Sequence, residues 1–590
     1  MVGTPSNAEI ATILAEMRTL MEFAGEPFFK FMAYERAAET LENAPPVAQL
    51  IVDGRLEELP GIGKTIAGRI CEIVATGTNT YREELRTQFP PTIVELLGVQ
   101  GVGMKTARQL FDQLGIASLA DLEIALSAGR LAEVPRLGAK SIENIKRGML
   151  AYKGRSTRTP IGKALPLARE IIAYLHAHTD AEDIAYAGSL RRQEPTVGDI
   201  DIVCTSDDPG AVIAAFTAWH RAASVLAEGG TKASIWLAGG LQIDLRVLAA
   251  DVYGNLLQHF TGSREHNIQL REMAVRNNLR VSENGITDVR DGRTIKCATE
   301  NDVYAALGLP YIPPEMRLGI GEVEAARAGT LPTPISLADL RGDFHMHCTW
   351  SDGKNSLDAM IAAAAARGYS YHSISDHSQG RGARGMSPGD LRAQRAVLRE
   401  IGNRHGVRTL ASTEVDILAD GSLDFSDEAL AELDIVVASV HSATNLTREA
   451  MTRRLIRACE HPYVNIIGHP TGRNVGGFEG YDFDHAAVFE AAARTGTALE
   501  IDGQPNRLDL PSALARRARE FGVTFTCDSD AHAVDQLENV MYAVGQARRA
   551  WLEPADVLNT RDLAGVLAFV SAKRERIGER NHHKLNADSR

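Results

Sequence analysis

The sequence predicts a multidomain chain with α-helical N-terminal domains, an α+β middle region and a C-terminal α/β barrel. Three observations predict it. The N-terminal third reads as short amphipathic helices broken by Gly-containing turns, the region from about Thr157 mixes helices with β-rich runs, and from Asp343 strand and helix alternate. A chain of 590 residues exceeds one core; such a length corresponds to roughly three to five compact units. Hydrophobic content of 44% and charged content of 24% are ordinary for soluble globular protein. Six cysteines are scattered without a CxxC pair, which fits a reducing compartment and argues against a thiolate zinc site. No secretory leader and no apolar run near the roughly 20 residues of a bilayer span is visible, so the expected place is the cytoplasm, away from membranes. The net charge of −13 is adverse to a nucleic-acid partner. Phosphate contact depends on local basic surface, however, and metal sites themselves need carboxylates.

In the N-terminal third, three segments resemble one another: Leu59-Pro-Gly-Ile-Gly-Lys64, Val99-Gln-Gly-Val-Gly-Met-Lys105 and, more weakly, Val134-Pro-Arg-Leu-Gly-Ala-Lys140. Each follows an apolar stretch and opens a helix, a helix–hairpin–helix pattern. The glycines (Gly61, Gly63, Gly101, Gly103) permit a tight turn. The next helix then offers free N–H groups to a phosphate, and Lys64 or Lys105 adds charge. Plain helix-to-helix turns also favour glycine; the repetition favours contact with a DNA backbone.

In the middle region, Ile184–Ala187, Ile200–Thr205, Ala233–Leu237 and Leu241–Val247 read as strands of one sheet. Asp199 and Asp201 begin one of them, two residues apart and therefore on one face. Two such carboxylates repel one another unless a divalent cation sits between them. Asp244 is a third strand-borne carboxylate, and three can hold two Mg2+ or Mn2+ ions. Gly188 and Ser189 bring backbone N–H and a hydroxyl, and Arg192 brings charge, to a triphosphate. This pattern points to nucleotidyl transfer with Asp199, Asp201 and Asp244 as the catalytic carboxylates. A Pro-spaced, alanine-rich connector ends at Leu331-Pro-Thr-Pro334.

In the C-terminal part, strands are expected at Tyr371–Ser375, Arg408–Val415, Ile435–Val440, Ile466–Gly468, Ala498–Ile501 and Thr524–Cys527, separated by helices such as Leu357–Arg367 and Pro388–Asn403. Nine histidines and acids fall at predicted strand ends: His345, His347, Asp352, His377, Glu414, His441, His469, Asp530 and His532. Imidazole with carboxylate suits Zn2+, Mn2+ or Fe2+. Arg473 and Arg507 are candidate phosphate clamps, and Asp416 a candidate support for the metal ligands.

These motifs carry a resemblance. The hairpin segments, the Gly-Ser…Asp-x-Asp element and the late Asp244 resemble the family X DNA polymerases, the group of DNA polymerase beta. So do His259-Phe-Thr-Gly-Ser263 with Asn267 and Arg271, and Leu307-Gly-Leu-Pro-Tyr-Ile-Pro-Pro-Glu315. The likeness spans roughly residues 1–320. The C-terminal set resembles the PHP (polymerase and histidinol phosphatase) domain of bacterial members, over about residues 336–575. The resemblance implies a division into 1–85 and 86–155 (helical, with hairpins), 156–250 (nucleotidyltransferase palm), 251–320 (thumb), 321–335 (linker), 336–575 (PHP barrel) and 576–590 (tail). It implies that Phe260 and Gly262 shape the sugar pocket, Asn267 faces the base, Arg271 contacts template and Lys30 binds a 5′-phosphate. It implies one metal at His345, His347, Glu414 and Asp530, a second shared by Glu414 and His441, and a third at Asp352, His377, His469 and His532. The activities implied are short-gap filling in repair on gapped or nicked DNA with dNTPs, and 3′–5′ exonuclease action, with AP endonuclease or 3′-phosphatase action as extensions, by a monomer. The sequence departs from the family at His259, where Tyr is usual, which leaves sugar selection open. It departs again at Arg69, which replaces the lyase lysine and has no amine for a Schiff base. The alternative reading is a DNA-end-binding scaffold with only the C-terminal site active.

Overall fold

The computed structural model describes residues 5, 7–42, 44, 47–97, 99, 101–135, 137–138, 141–146, 148–149, 158–237, 241–380 and 385–587. It divides into two units, Met1–Thr157 and Arg158–Arg590.

The first unit is helical. Helices Asn7–Ala24 and Phe28–Glu42 bury Ile10, Leu14, Met17 and Leu20 with Phe31, Tyr34 and Leu41. Helices Lys64–Thr76 and Met104–Leu114 start where the glycine repeats predict. A single hydrophobic cluster runs from Ile10 to Met149, so the expected division at 85/86 falls inside one core. Phe23 shows why: its ring meets Phe89 at 5.3 Å and Phe111 at 5.8 Å. Glu16 ties both Arg82 and Arg86 to the first helix at 2.6 Å.

The second unit begins with a five-stranded sheet: β1 (Glu182–Tyr186), β2 (Asp199–Thr205), β3 (Ala222–Gly229), β4 (Lys232–Leu237) and β5 (Gln242–Leu248), ordered β1-β2-β5-β4-β3. The central pair β2 and β5 is parallel and places Asp201 directly opposite Asp244. Ile200, Ile202, Ile243 and Leu245 alternate with the acids and face the core against helix Ile161–His178. β3 was not anticipated; it is an edge strand whose side chains are largely exposed, so the apolar signal is missing.

Helices Tyr253–Thr261 and Arg264–Arg276 follow, with a small antiparallel sheet of β6 (Leu279–Ser282), β7 (Gly285–Asp288) and β8 (Thr294–Ile295). Buried Arg317 and half-buried Arg191 both grip buried Glu300, at 2.5 and 2.6 Å. The expected connector at 321–335 contains a helix, Glu322–Ala328, whose Val323 and Ala326 are buried and whose Glu322 meets His266 at 2.7 Å.

The C-terminal part has a parallel pair, β9 (Tyr371–Ile374) with β10 (Arg408–Ala411), and a five-stranded parallel sheet. That sheet runs β11 (Glu414–Asp416), β12 (Val437–Ser439), β13 (Ile466–Ile467), β14 (Ala498–Asp502) and β15 (Phe525–Asp528) in sequence order. The expected strand Arg408–Val415 is two strands in two sheets, parting at Ser412 and Thr413. Single bridges, His377 to Glu414 and Met346 to Ala531, stand where longer ladders would complete a cylinder, and the ladders themselves do not close. The last helix, Leu563–Ala587, runs through the stretch expected as a tail. Among the described residues no helix is long and apolar enough to cross a membrane.

Two candidate metal centres and a hairpin surface

Asp199, Asp201 and Asp244 bring carboxylate oxygens within 4.8 Å of one another. They sit there because β2 and β5 are parallel neighbours in register. Burial and the charges of Asp199 and Asp244 push the Asp201 carboxyl up to about 7, and burial with Asp244 also raises Asp199. Such a site favours a cation over empty space. Gln242 Nε2 donates to Asp244 at 2.9 Å, and the Ser234 hydroxyl also donates to it.

Gly188 is a required glycine. Its φ is +58°, and a Cβ there would lie 2.1 Å from Asp201 Oδ2. The turn it opens carries Ser189 and Arg192 toward a cavity of about 580 Å3, also lined by Gly198, Asp199, Asp201, His259, Phe260, Gly262, Asn267 and Arg271. Arg158 and Arg264 line it too, and the sequence did not single them out. Only the Gly-Ser263 neighbourhood hinted at Arg264, and Arg158 lies beyond any motif. Asn267 is engaged at both ends, donating to His259 O and accepting from Gln258, each at 2.9 Å. Arg246 lies over the Phe260 ring at 5.2 Å. Burial lowers the His259 imidazole. A cavity with acids on one wall and arginines around it fits a polyphosphate bound through divalent cations.

The second cluster converges on Glu414, the first residue of β11. Its carboxylate lies 2.8 Å from His377 Nδ1, 2.9 Å from His469 Nε2, 3.2 Å from His441 Nε2 and 3.4 Å from His345 Nε2. Asp530 lies 3.2 Å from His347, and Asp352 lies 3.4 Å from His377 and 3.3 Å from His532. All nine expected residues are therefore brought together. Three groups are close enough to share an ion: His347, Asp352, His377 and His532; His345, His347 and Glu414; His377, Glu414 and His441. The resemblance grouped His469 with Asp352. Here His469 sits beside His441 instead, because β12 and β13 are adjacent strands.

Burial and the neighbouring His532 and His377 pull His347 down to about 3; burial and Arg507 do the same to His469. Against its burial, Glu414 and Asp352 push His377 up to about 10. Neutral imidazoles, as at His347 and His469, present lone pairs, and among the described residues buried His347 finds no hydrogen-bond partner for either ring nitrogen. That donor set fits divalent metal with nitrogen and oxygen preference.

Supporting groups complete the centre. Glu500 accepts from His345 Nδ1 at 2.6 Å and from His469 N at 2.6 Å. Asp416 takes His441 Nδ1 at 2.5 Å. Such partners fix ring orientation. Glu500 was missed, although a Glu inside the apolar run Ala498–Asp502 was a readable signal. Arg507 stands 3.9 Å from Asp530, whereas Arg473 is spent on the carbonyls of Arg507 and Leu508 and is not a free clamp.

In the first unit, Gly63 and Gly103 precede helices without any side-chain cap, leaving first-turn N–H groups open. Gly61 and Gly101 have φ of +79° and +92°. Lys64 begins its helix and Lys105 lies in the first turn of the other. Lys30, Gly61, Gly63, Lys64 and Arg69 line one cavity of about 710 Å3. Lys30 pairs with Glu26 at 2.9 Å. Arg69 packs over Tyr81 at 4.3 Å and donates to Asn79. Of the third hairpin segment, Arg136, Ala139 and Lys140 lie outside the described residues.

Comparison with known proteins fits this construction. The description "DNA polymerase beta thumb" matches residues 256–318, "Helix-hairpin-helix domain" residues 5–79 and "SAM-like Helix-hairpin-helix tandem" residues 93–148. A beta-type thumb behind paired hairpin modules defines the class. The DNA polymerase/3'-5' exonuclease PolX of Bacillus subtilis (strain 168) is 36% identical over 566 residues, 95% of this chain and 99% of that protein. The chain belongs to the bacterial family X DNA polymerases that carry a C-terminal PHP domain. DNA polymerase lambda of Arabidopsis thaliana is 26% identical over 344 residues, 53% of this chain and 62% of that one. A protein of Syntrophotalea carbinolica named "Probable phosphatase" is 26% identical over 238 residues, 39% of this chain and 95% of that one.

Proposed function

We propose that the chain is a DNA-directed DNA polymerase that fills short gaps, with a 3′–5′ exonuclease in its PHP part, acting as a monomer on gapped or nicked DNA with dNTPs in the cytoplasm. The observation that carries the reading is the pairing, in one chain, of an Asp199–Asp201–Asp244 cluster facing an arginine-lined cavity with a nine-residue histidine and carboxylate cluster. Divalent ions (Mg2+ or Mn2+ in the palm, up to three of Zn2+, Mn2+ or Fe2+ in the PHP part) supply Lewis acidity to phosphoryl oxygens and to the attacking hydroxyl or water. The chain's own groups do the rest. Gly188, Ser189 and Arg192 hold the triphosphate, and Phe260 and Gly262 border the sugar. Asn267, in the cavity wall, faces the base, Arg271 reaches the template, and Glu500 and Asp416 orient His345, His469 and His441. Lys30, Lys64, Lys105 and the hairpin glycines grip the backbone. Within the division into 1–85, 86–155, 156–250, 251–320, 321–335, 336–575 and 576–590, the first two ranges share one core, 321–335 carries the packed helix Glu322–Ala328 and the last helix runs on to Ala587, with the PHP strands as a distorted barrel. AP endonuclease or 3′-phosphatase action belongs to the same reading, and the phosphatase-named relative supports it. Arg69 speaks against an efficient lyase step.

The test is a 5′-labelled primer on a one-nucleotide gapped duplex. With dNTPs the primer grows by one residue; without them it shortens in single steps. Wild-type protein that fails at either, with divalent metal supplied, overturns that half of the reading.

A further inference from the structure

The phosphate-facing turn of the palm is held from outside the palm. Residues Gly188–Glu194 follow β1 and precede β2, with Ala187 N donating to Asp201 O where the turn begins, and Gln193 in the turn has a φ of +55°, left-handed and strained for a residue with a Cβ. Within the turn, Gln193 N donates to Leu190 O and Glu194 N to Ser189 O. The outward-facing carbonyls need donors, and helix Val540–Arg549 of the PHP part supplies them. Arg549 Nη1 donates to Arg192 O, and its Nη2 lies 2.9 Å from Glu194 Oε2. Gln546 Nε2 donates to Gln193 O at 2.8 Å. Gln193, Gln546 and Arg549 are 8%, 1% and 7% exposed, so water does not replace these bonds. The approach is close enough that a Cβ on Gly545 would fall 2.9 Å from the Gln193 side chain. Tyr542 of the same helix and Leu508 belong to the palm's own hydrophobic cluster.

On the other side, Arg192 Nη1 donates to Thr261 O, and its buried Nε has no hydrogen-bond partner among the described residues while the side chain lines the cavity. Where its guanidinium stands thus depends on where its backbone is pinned. A shift of about 1 Å in a phosphate-binding group is enough to impair binding and reaction.

We propose that Arg549, with Gln546, is a positioning residue for nucleotide binding: helix Val540–Arg549 sets the palm turn so that Arg192 meets the triphosphate. The PHP part is then a structural component of the polymerase site. This rests on the nucleotidyl-transfer reading of the palm cavity. A charge-assisted bond from Arg549 is worth on the order of 2 kcal/mol, and a neutral one from Gln546 about 1 kcal/mol, which correspond to about thirtyfold and about fivefold in affinity.

The experiment measures single-nucleotide incorporation and primer shortening for the full-length wild type, Arg549→Ala and Gln546→Ala. The expected result is a KM for dNTP raised about thirtyfold and about fivefold respectively, with kcat and primer shortening within about twofold of wild type. An unchanged KM in both variants overturns the proposal. So does a parallel fall of both activities in both variants, which marks a purely structural contact. A wild type that incorporates nothing removes the palm reading and this proposal with it, whereas normal wild-type incorporation with unchanged variants removes the proposal alone.

Discussion

Asp201 and Gly188 show how single positions govern the palm. The Asp201 carboxyl is pushed up to about 7 by its burial and its two acidic neighbours, and a bound cation would hold it in its charged form. Asp201→Asn is expected to lower incorporation on the order of a thousandfold, the several kcal/mol that metal-assisted charge stabilisation is worth, in a single-turnover assay. Gly188→Ala puts a methyl 2.1 Å from the same carboxylate and imposes φ of +58° on a residue with a Cβ. We expect incorporation to fall at least about a hundredfold while primer shortening persists. The i, i+2 spacing of Asp199 and Asp201 and the Gly-Ser element were readable because strand periodicity fixes a face. Arg158 and Arg264 were not, because their place in the cavity depends on where distant backbone returns. Likewise the nine expected PHP metal-ligand candidates were visible as residue types at predicted strand ends, while the seat of His469 beside His441 follows from strand adjacency, which no local spacing encodes.

Elements carry two further expectations. The hairpin helices begin at Gly63 and Gly103 without side-chain caps, and Lys64 and Lys105 stand at those starts. Lys64→Ala is expected to reduce the slope of log affinity against log salt concentration by about one for duplexes of any sequence, read by fluorescence anisotropy. In the final helix, Lys573 is fully buried, and its amine donates to the carbonyls of Cys459 and Val464 and to Thr497. Burial pulls this amine from its ordinary value of 10.5 down to about 7. Above pH 7 the folded chain carries it as a neutral amine, whose two N–H groups serve two of these three acceptors, while the unfolded chain still protonates it. Unfolding therefore takes up a proton, and stability rises with pH between about 7 and about 10. Lys573→Met is expected to lose that rise, seen as a Tm difference from wild type that changes steadily from pH 7 to pH 9. Most helices and strands were legible from periodicity. The exceptions are physical: β3 is an exposed edge, Arg408–Val415 breaks where the chain passes between sheets, and Glu322–Ala328 hides in an alanine-rich stretch that reads as linker.

At the scale of the molecule, the second unit joins two chemistries through shared packing. Leu508 and Tyr542 complete the palm core, and Arg548 meets Glu315 at 2.9 Å at the end of the thumb. The two acid-rich centres themselves are separate sets of residues with no ligand in common. Each centre is expected to perform its own reaction. The most direct measurement uses Asp199→Ala and His345→Ala side by side on a 5′-labelled one-nucleotide gapped duplex, with and without dNTPs. Asp199→Ala is expected to shorten the primer but never extend it, and His345→Ala to extend it but never shorten it. Loss of both reactions in either variant, or survival of shortening in His345→Ala, contradicts this expectation.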